Sequence, residues 1–154
     1  MTDTPLSLLF VTSSGGVLLD LLALRPWWER HHRVWVSVPA ADTSESLAGE
    51  DVCWMAEIDP ARPAALAASA LSAHRQLRRH RPDALVSAGT GLAVPWFGAA
   101  RLIGLPCTWV ETLNLVGDPG RAARICQRLA TRVLVQRPQL VASRPHAVYV
   151  GELY

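Results

Sequence analysis

The stretch Arg81-Pro82-Asp83-Ala84-Leu85-Val86-Ser87-Ala88-Gly89-Thr90-Gly91-Leu92-Ala93-Val94-Pro95 sets out a helix stop, a strand, a glycine turn and a helix start in immediate succession. Pro82 cannot continue a helix, so whatever helix precedes it ends there. Residues 84–88 are a short, almost wholly apolar run, as expected of a strand buried on both faces. Gly89-Thr90-Gly91 is a turn. The segment from 92 to about 103 then has helical character and is closed by Gly104, with Pro95 within its first turn or so, where proline is tolerated. On the other side, residues 62–80 are rich in alanine and leucine and finish on Arg75, Arg78, Arg79 and His80, cations that suit the negative end of a helix dipole.

The same alternation continues outward in both directions. Towards the C-terminus, 106–111 reads as a strand, 114–119 as a loop, 120–131 as a helix, 132–136 as a strand and 147–150 as a last short strand. Towards the N-terminus, 6–12 is an apolar strand ending in Ser13-Ser14-Gly15-Gly16, and 17–28 is a helix with Pro26 near its end. Residues 33–38 form a valine-rich strand, 42–49 a polar connection and 51–57 a third strand. Strands that are apolar on both faces, each followed by a helix, predict an α/β fold: a Rossmann-like parallel sheet with helices on both faces. Ligands of such sheets bind beyond the carboxyl ends of the strands.

Length and composition agree with one domain spanning residues 1–154. A chain of this size buries roughly 70% of its unfolded surface. Half of the residues are hydrophobic, 18% are charged and the formal net charge is +2, too small a balance to indicate nucleic acid. Cys53, Cys107 and Cys126 are odd in number and widely separated, so neither a disulfide framework nor a metal site is expected. A reduced, cytoplasmic setting is the simpler reading. The N-terminus lacks the basic flank and cleavage site of a signal peptide. The longest apolar segment, 91–105, is interrupted by Pro95 and Arg101 and is short of a membrane span.

Three groups of residues fall at the strand ends where chemistry is expected. Ser13, Ser14, Gly15 and Gly16 let the backbone approach a ligand and lead into a helix N-terminus that favours anions such as phosphate; an ordinary turn needing positive φ explains them equally well. Gly89, Thr90 and Gly91 form a second turn at the same edge, and two such turns favour a binding cleft over coincidence. Glu111 ends an otherwise apolar strand, where a carboxylate is costly unless it faces a cleft or a partner. It can serve as a general base or hold a sugar hydroxyl, or it can cap the next segment. Asn114 is a further polar contact or a turn residue. GxGxxG and GxxxxGK[ST] are both absent, so no dinucleotide or nucleoside-triphosphate cofactor is expected. Most of the six tryptophans belong in the core; Trp96 and Phe97 are candidates for contact with an interface or a lipid chain.

Over nearly its whole length the chain resembles the acceptor-side subunits of split UDP-sugar glycosyltransferases. These include PssD-type proteins of bacterial capsule and exopolysaccharide synthesis and the membrane-recruiting subunit of the eukaryotic dolichol-linked N-acetylglucosaminyltransferase. The resemblance rests on 12–16, on 81–95, which is its most specific block, on Val110-Glu111, on Val135-Gln136 and on the ending 147–151. It implies a GT-B architecture divided between two chains, with this chain as the N-terminal Rossmann-like half and a PssE-type partner carrying the nucleotide sugar. Single-chain relatives such as MurG hold both halves, and the length here fits one. One departure stands out: the family reads Gly-Gly-His in the first loop, whereas Val17 follows Gly16 here, so an imidazole able to relay a proton is missing. His31 and His32 lie at the far end from the cleft and are poor substitutes.

The expected activity is sugar transfer from a UDP-sugar to a lipid-linked acceptor, with the chain held peripherally at the inner face of the membrane. A non-catalytic scaffold for a catalytic partner and a generic nucleotide-binding module are the rival readings.

Overall fold

The computed structural model describes residues 4–59, 61–113 and 118–152. Its first strand, β1 (Ser7–Val11), is followed by α1 (Gly16–Ala23), α2 (Arg25–Trp28), β2 (His32–Ser37), α3 (Ala41–Ser46) and β3 (Val52–Trp54). The second half runs α4 (Pro63–His80), β4 (Ala84–Ser87), α5 (Ala93–Leu102), β5 (Cys107–Val110), α6 (Gly120–Leu129) and β6 (Arg132–Val135). A 3-10 turn (Pro138–Leu140) and β7 (Ala147–Tyr149) close it. The strands form one sheet in the order β3-β2-β1-β4-β5-β6-β7, and every neighbouring pair is parallel. The expected doubly covered parallel sheet is the observed one.

The two faces are filled by different helices because successive residues of each strand point to opposite sides. Leu9, Val11, Leu85, Trp109 and Val133 pack under α4, α5 and α6. Leu8, Phe10, Trp35, Val86 and Val110 pack with Leu18, Leu21 and Trp28 of α1 and α2. On this second face Phe10 stacks on Trp35 at 4.5 Å, Trp28 meets Trp35 edge-on at 5.6 Å, and the Trp28 indole N–H donates to the Leu21 carbonyl at 2.8 Å. The ring faces and edges are thereby in attractive register.

Three sequence expectations need correction. The single helix over 17–28 is two: the chain leaves helical geometry at Leu24, and Arg25–Trp28 restarts with Pro26 in its first turn, where a missing N–H does no harm. The polar connection over 42–49 contains α3, whose sequence Ala-Asp-Thr-Ser-Glu-Ser shows no apolar stripe. Thr43 anchors it instead, its hydroxyl accepting from the Ala40 N–H at 2.9 Å and donating to the Val38 carbonyl at 2.8 Å. Trp96 and Phe97 are wholly buried in α5, against the sheet, and offer nothing to a lipid or an interface. Their face of α5 is the core face; the exposed face carries Leu102.

Among the described residues no helix is long and apolar enough to cross a membrane. The three thiols are free, and burial pushes those of Cys107 and Cys126 up to about 12, which makes them inert.

Candidate functional site

In a parallel sheet every strand-to-helix turn emerges at the same edge. Here the chain runs outward from β1 through β2 to β3, then returns to the other flank of β1 and continues from β4 to β7. The turns after β1 and β4 therefore diverge to opposite sides and leave a crevice between them. Both sequence-selected glycine turns lie on that crevice. Gly15 has φ 82, a conformation that a side chain disfavours, and it caps α1, which has no acidic residue in its first turn. Its N–H is occupied from within the chain: Asp42 of α3 accepts it at 2.8 Å. Ser13 and Ser14 complete the turn, the Ser13 hydroxyl donating to the Ser14 carbonyl at 3.4 Å.

The second turn is more tightly tied. The Ser87 hydroxyl donates to the Gly89 carbonyl at 3.2 Å and accepts the Gly89 N–H at 3.3 Å. Thr90 follows with φ 92, an uncommon and strained state for a β-branched residue, and its hydroxyl accepts the Leu92 N–H at 3.2 Å. Gly91 opens the approach to α5.

A cleft of about 310 Å³ lies at this edge, walled by Val17, Ala88, Gly89, Thr90, Trp109, Glu111 and Thr112 together with the first turn of α6. Glu111, Gly89 and Thr90 are thus brought together as the sequence suggested. Ser13, Ser14, Gly15, Gly16 and Gly91 stand at the same edge but are not among the residues lining this cleft, and Asn114 lies outside the described residues. His31 and His32 are at the opposite edge, where β2 begins.

Val17 and Gly89 join the two turns. A Cβ placed on Gly89 would stand 2.6 Å from Val17 Cγ1, so the valine side chain occupies the space that the glycine leaves. Gly89→Ala is expected to destabilise the chain by about 1–3 kcal/mol through overpacking, and Val17→Ala in the same chain should recover much of it. Denaturant unfolding of the two single variants and the double variant checks this; equal stability of Gly89→Ala and the parent would refute it.

Glu111 sits just past the end of β5. It is 1% exposed, and its carboxylate is fully engaged. Arg144 donates from Nε at 3.1 and 2.9 Å and from Nη2 at 2.9 Å, a two-pronged pair, and Gln127 of α6 donates its amide to Oε2 at 2.9 Å. The hydrogen bonds that Arg144 donates to Glu111, and the charge of that carboxylate, hold the guanidinium above its ordinary value. Gln136, at the end of β6, donates to the Glu111 carbonyl at 3.0 Å and fixes the backbone. A carboxylate held in this way is a rigid hydrogen-bond acceptor. Its use as a proton acceptor requires the guanidinium to loosen.

Sequence reasoning missed Arg144, Gln127 and Asp42. Gln136 was inside a quoted motif without a role. A charge count of 106–111 gives the only available hint, since an acidic residue at the end of an apolar strand demands a cation from elsewhere. Among the described residues no group of acidic, histidine and cysteine side chains is placed to hold a metal ion.

No protein-family model matches the chain. Over 89 residues, 58% of its length, it is 36% identical to a UDP-N-acetylglucosamine–N-acetylmuramyl-(pentapeptide) pyrophosphoryl-undecaprenol N-acetylglucosamine transferase of Methylococcus capsulatus, and the match spans 24% of that protein. Among solved structures, MurG of Acinetobacter baumannii superimposes with a TM-score of 0.73 at 20% identity over 96% of this chain and 44% of that one. The UDP-GlcNAc 2-epimerase of Neisseria meningitidis, bound to UDP-GlcNAc, gives 0.73 at 13% identity over 96% of this chain and 47% of its own. The chain therefore spans less than half the length of these relatives, shares the Rossmann-like fold of MurG and the epimerases, and is similar in sequence to a MurG-type glycosyltransferase.

Proposed function

We propose that the chain is the acceptor-side half of a glycosyltransferase, which moves a sugar from a UDP-sugar to a hydroxyl of a lipid-linked acceptor with the help of a PssE-type donor-binding partner. The observation that carries the reading is the cleft at the carboxyl edge of the sheet, where Gly89 and Thr90 after β4 meet Glu111 after β5. The similar transferase bears a name that pairs a UDP-sugar with an undecaprenol-linked acceptor, which supports the substrate class. In this reading Glu111 orients or deprotonates the acceptor hydroxyl, while helix N-termini at the same edge stabilise the departing diphosphate.

Coexpression with a candidate donor subunit, followed by transfer of labelled sugar to a polyprenyl-diphosphate-linked acceptor, tests it. Transfer is expected only when both proteins are present. Absence of both complex and transfer, across several lipid acceptors, would sink it. A scaffold that merely supports a catalytic partner is the second reading, favoured by the engagement of Glu111 by Arg144 and by Val17 in place of the family's histidine.

Membrane contact is assigned here to the outer faces of α4 and α5 rather than to Trp96 and Phe97. An apolar groove of about 610 Å³ runs between these helices, with Leu71 52% and Leu102 85% exposed, and Arg75, Arg78, Arg79 and Arg101 lie on the same two helices. Apolar residues flanked by cations suit an anionic lipid surface. With its partner, the protein should float with phosphatidylglycerol vesicles, and Leu71→Asp/Leu102→Asp should abolish flotation. A complex that remains wholly in solution would refute the attachment.

A further inference from the structure

We propose that the cavity between α6 and the segment leading into β7 is a binding site for a phosphate or diphosphate group, and that this site shares Arg144 with Glu111. The cavity measures about 450 Å³ and is lined by Asp118, Arg124, Gln127, Arg128, Ser143 and Arg144 together with two prolines. Three guanidinium groups face one carboxylate there.

The electrostatics of these groups leave room for an anion. Arg124 and Arg128 are one helical turn apart on α6 and so present to the same side. Arg124 is paired with Asp118, whose carboxyl is held below its ordinary value by the Gly120 N–H and by that guanidinium. Both partners are more than half exposed, so the pair is worth little and exchanges readily. Arg128 has no ion pair among the described residues. Arg144 uses Nε and Nη2 on Glu111, and its Nη1 group makes no hydrogen bond among the described residues. Planar guanidinium forks match the oxygen geometry of phosphates better than any other side chain.

The cavity adjoins the cleft described above. Pro119 lines both, and the Glu111–Arg144 pair stands between them, with Glu111 on the cleft side and Arg144 on the cavity side. An anion bound on Arg144 competes with Glu111 for its N–H groups. It draws the guanidinium away and releases carboxylate lone pairs to the cleft. Glu111 then becomes a competent acceptor of a hydroxyl proton only when a diphosphate is in place. The binding site itself stands without the transferase reading; the consequence for Glu111 rests on it.

Isothermal titration of the full chain with inorganic pyrophosphate, at constant ionic strength, tests the proposal. Saturable binding is expected, weakened about tenfold by Arg128→Gln and further by Arg124→Gln/Arg128→Gln, each the loss of charge-assisted hydrogen bonds at an exposed position that folding does not need. Glu111→Gln should tighten binding several-fold, because it removes the competing charge. Circular dichroism of each variant verifies the fold. No heat up to millimolar pyrophosphate, unchanged affinity in the double variant, or unchanged or weaker affinity in Glu111→Gln would each overturn it. Competition by UDP assigns the group to a nucleotide sugar and competition by farnesyl diphosphate assigns it to a polyprenyl carrier. Failure of both to compete also overturns it. Because none of these measurements needs a donor partner, their outcome is independent of whether sugar transfer is found.

Discussion

Arg144→Met is expected to destabilise the protein by about 3–5 kcal/mol, because it leaves the Glu111 carboxylate buried without its counter-charge. For a domain of this size that lowers the melting temperature by roughly 2–4 °C per kcal/mol. The asymmetry of the pair sets the direction. The Glu111 side chain is 1% exposed, whereas that of Arg144 is 13% exposed and lines the cavity beside α6. Removing the arginine should therefore cost more than neutralising the glutamate. The double variant Glu111→Gln/Arg144→Met carries neither charge and should recover most of the loss, since well-packed neutral groups often replace a buried pair without penalty. Urea unfolding of the three variants measures this. An Arg144→Met chain within about 1 kcal/mol of the parent would mean that water reaches Glu111 through the cleft and that the pair is not needed.

On the transferase reading, Glu111→Gln is expected to lower sugar transfer by about 10²–10⁴-fold in the proposed complex with a donor subunit, the range associated with loss of an acid–base group. Gln keeps the size of the side chain, and the Gln136 bond goes to the Glu111 backbone carbonyl, so the β5 end should keep its position. What changes is the charge and one acceptor oxygen. A fall in the maximal rate with little change in acceptor KM would assign Glu111 to the chemical step; a rise in KM alone would assign it to holding a hydroxyl. Activity within a factor of two of the parent, with unaltered complex formation, would give the field to the scaffold reading.

The strands and their turns were legible because each is a compact local signal. An apolar run ending in glycine states both the buried strand and the edge from which its turn emerges, and 6–16 and 81–95 do this without reference to the rest of the chain. α3 was illegible because its helix buries Thr43 alone of its six residues, so periodicity had nothing to register. The break at Leu24 was hidden because Leu18 and Leu21 of α1 and Trp28 of α2 join one apolar cluster, so the apolar pattern runs on across the single residue that leaves helical geometry. Trp96 and Phe97 were misjudged for a similar reason: α5 is apolar nearly all round, and sequence does not say which side of such a helix meets the sheet. In the candidate site, Glu111 was identifiable as an anomaly, a carboxylate after an apolar strand. Its partners were not, since Arg144 lies 33 residues on, past β6, and Gln127 sits on a helix whose rotation about its axis is fixed by tertiary contacts.

The place of β1 in the sheet has a temporal consequence. Its first neighbour, β2, follows closely, but its second, β4, is made only after Leu8 has waited 76 residues for Ala84. At a translation rate of about 5–20 residues per second, that is several seconds on the ribosome. During that interval the strand of Leu8, Leu9, Phe10 and Val11 keeps one edge without its partner, the kind of edge that recruits other nascent chains. Synthesis of this protein should therefore depend on holdase chaperones more than its final stability would suggest.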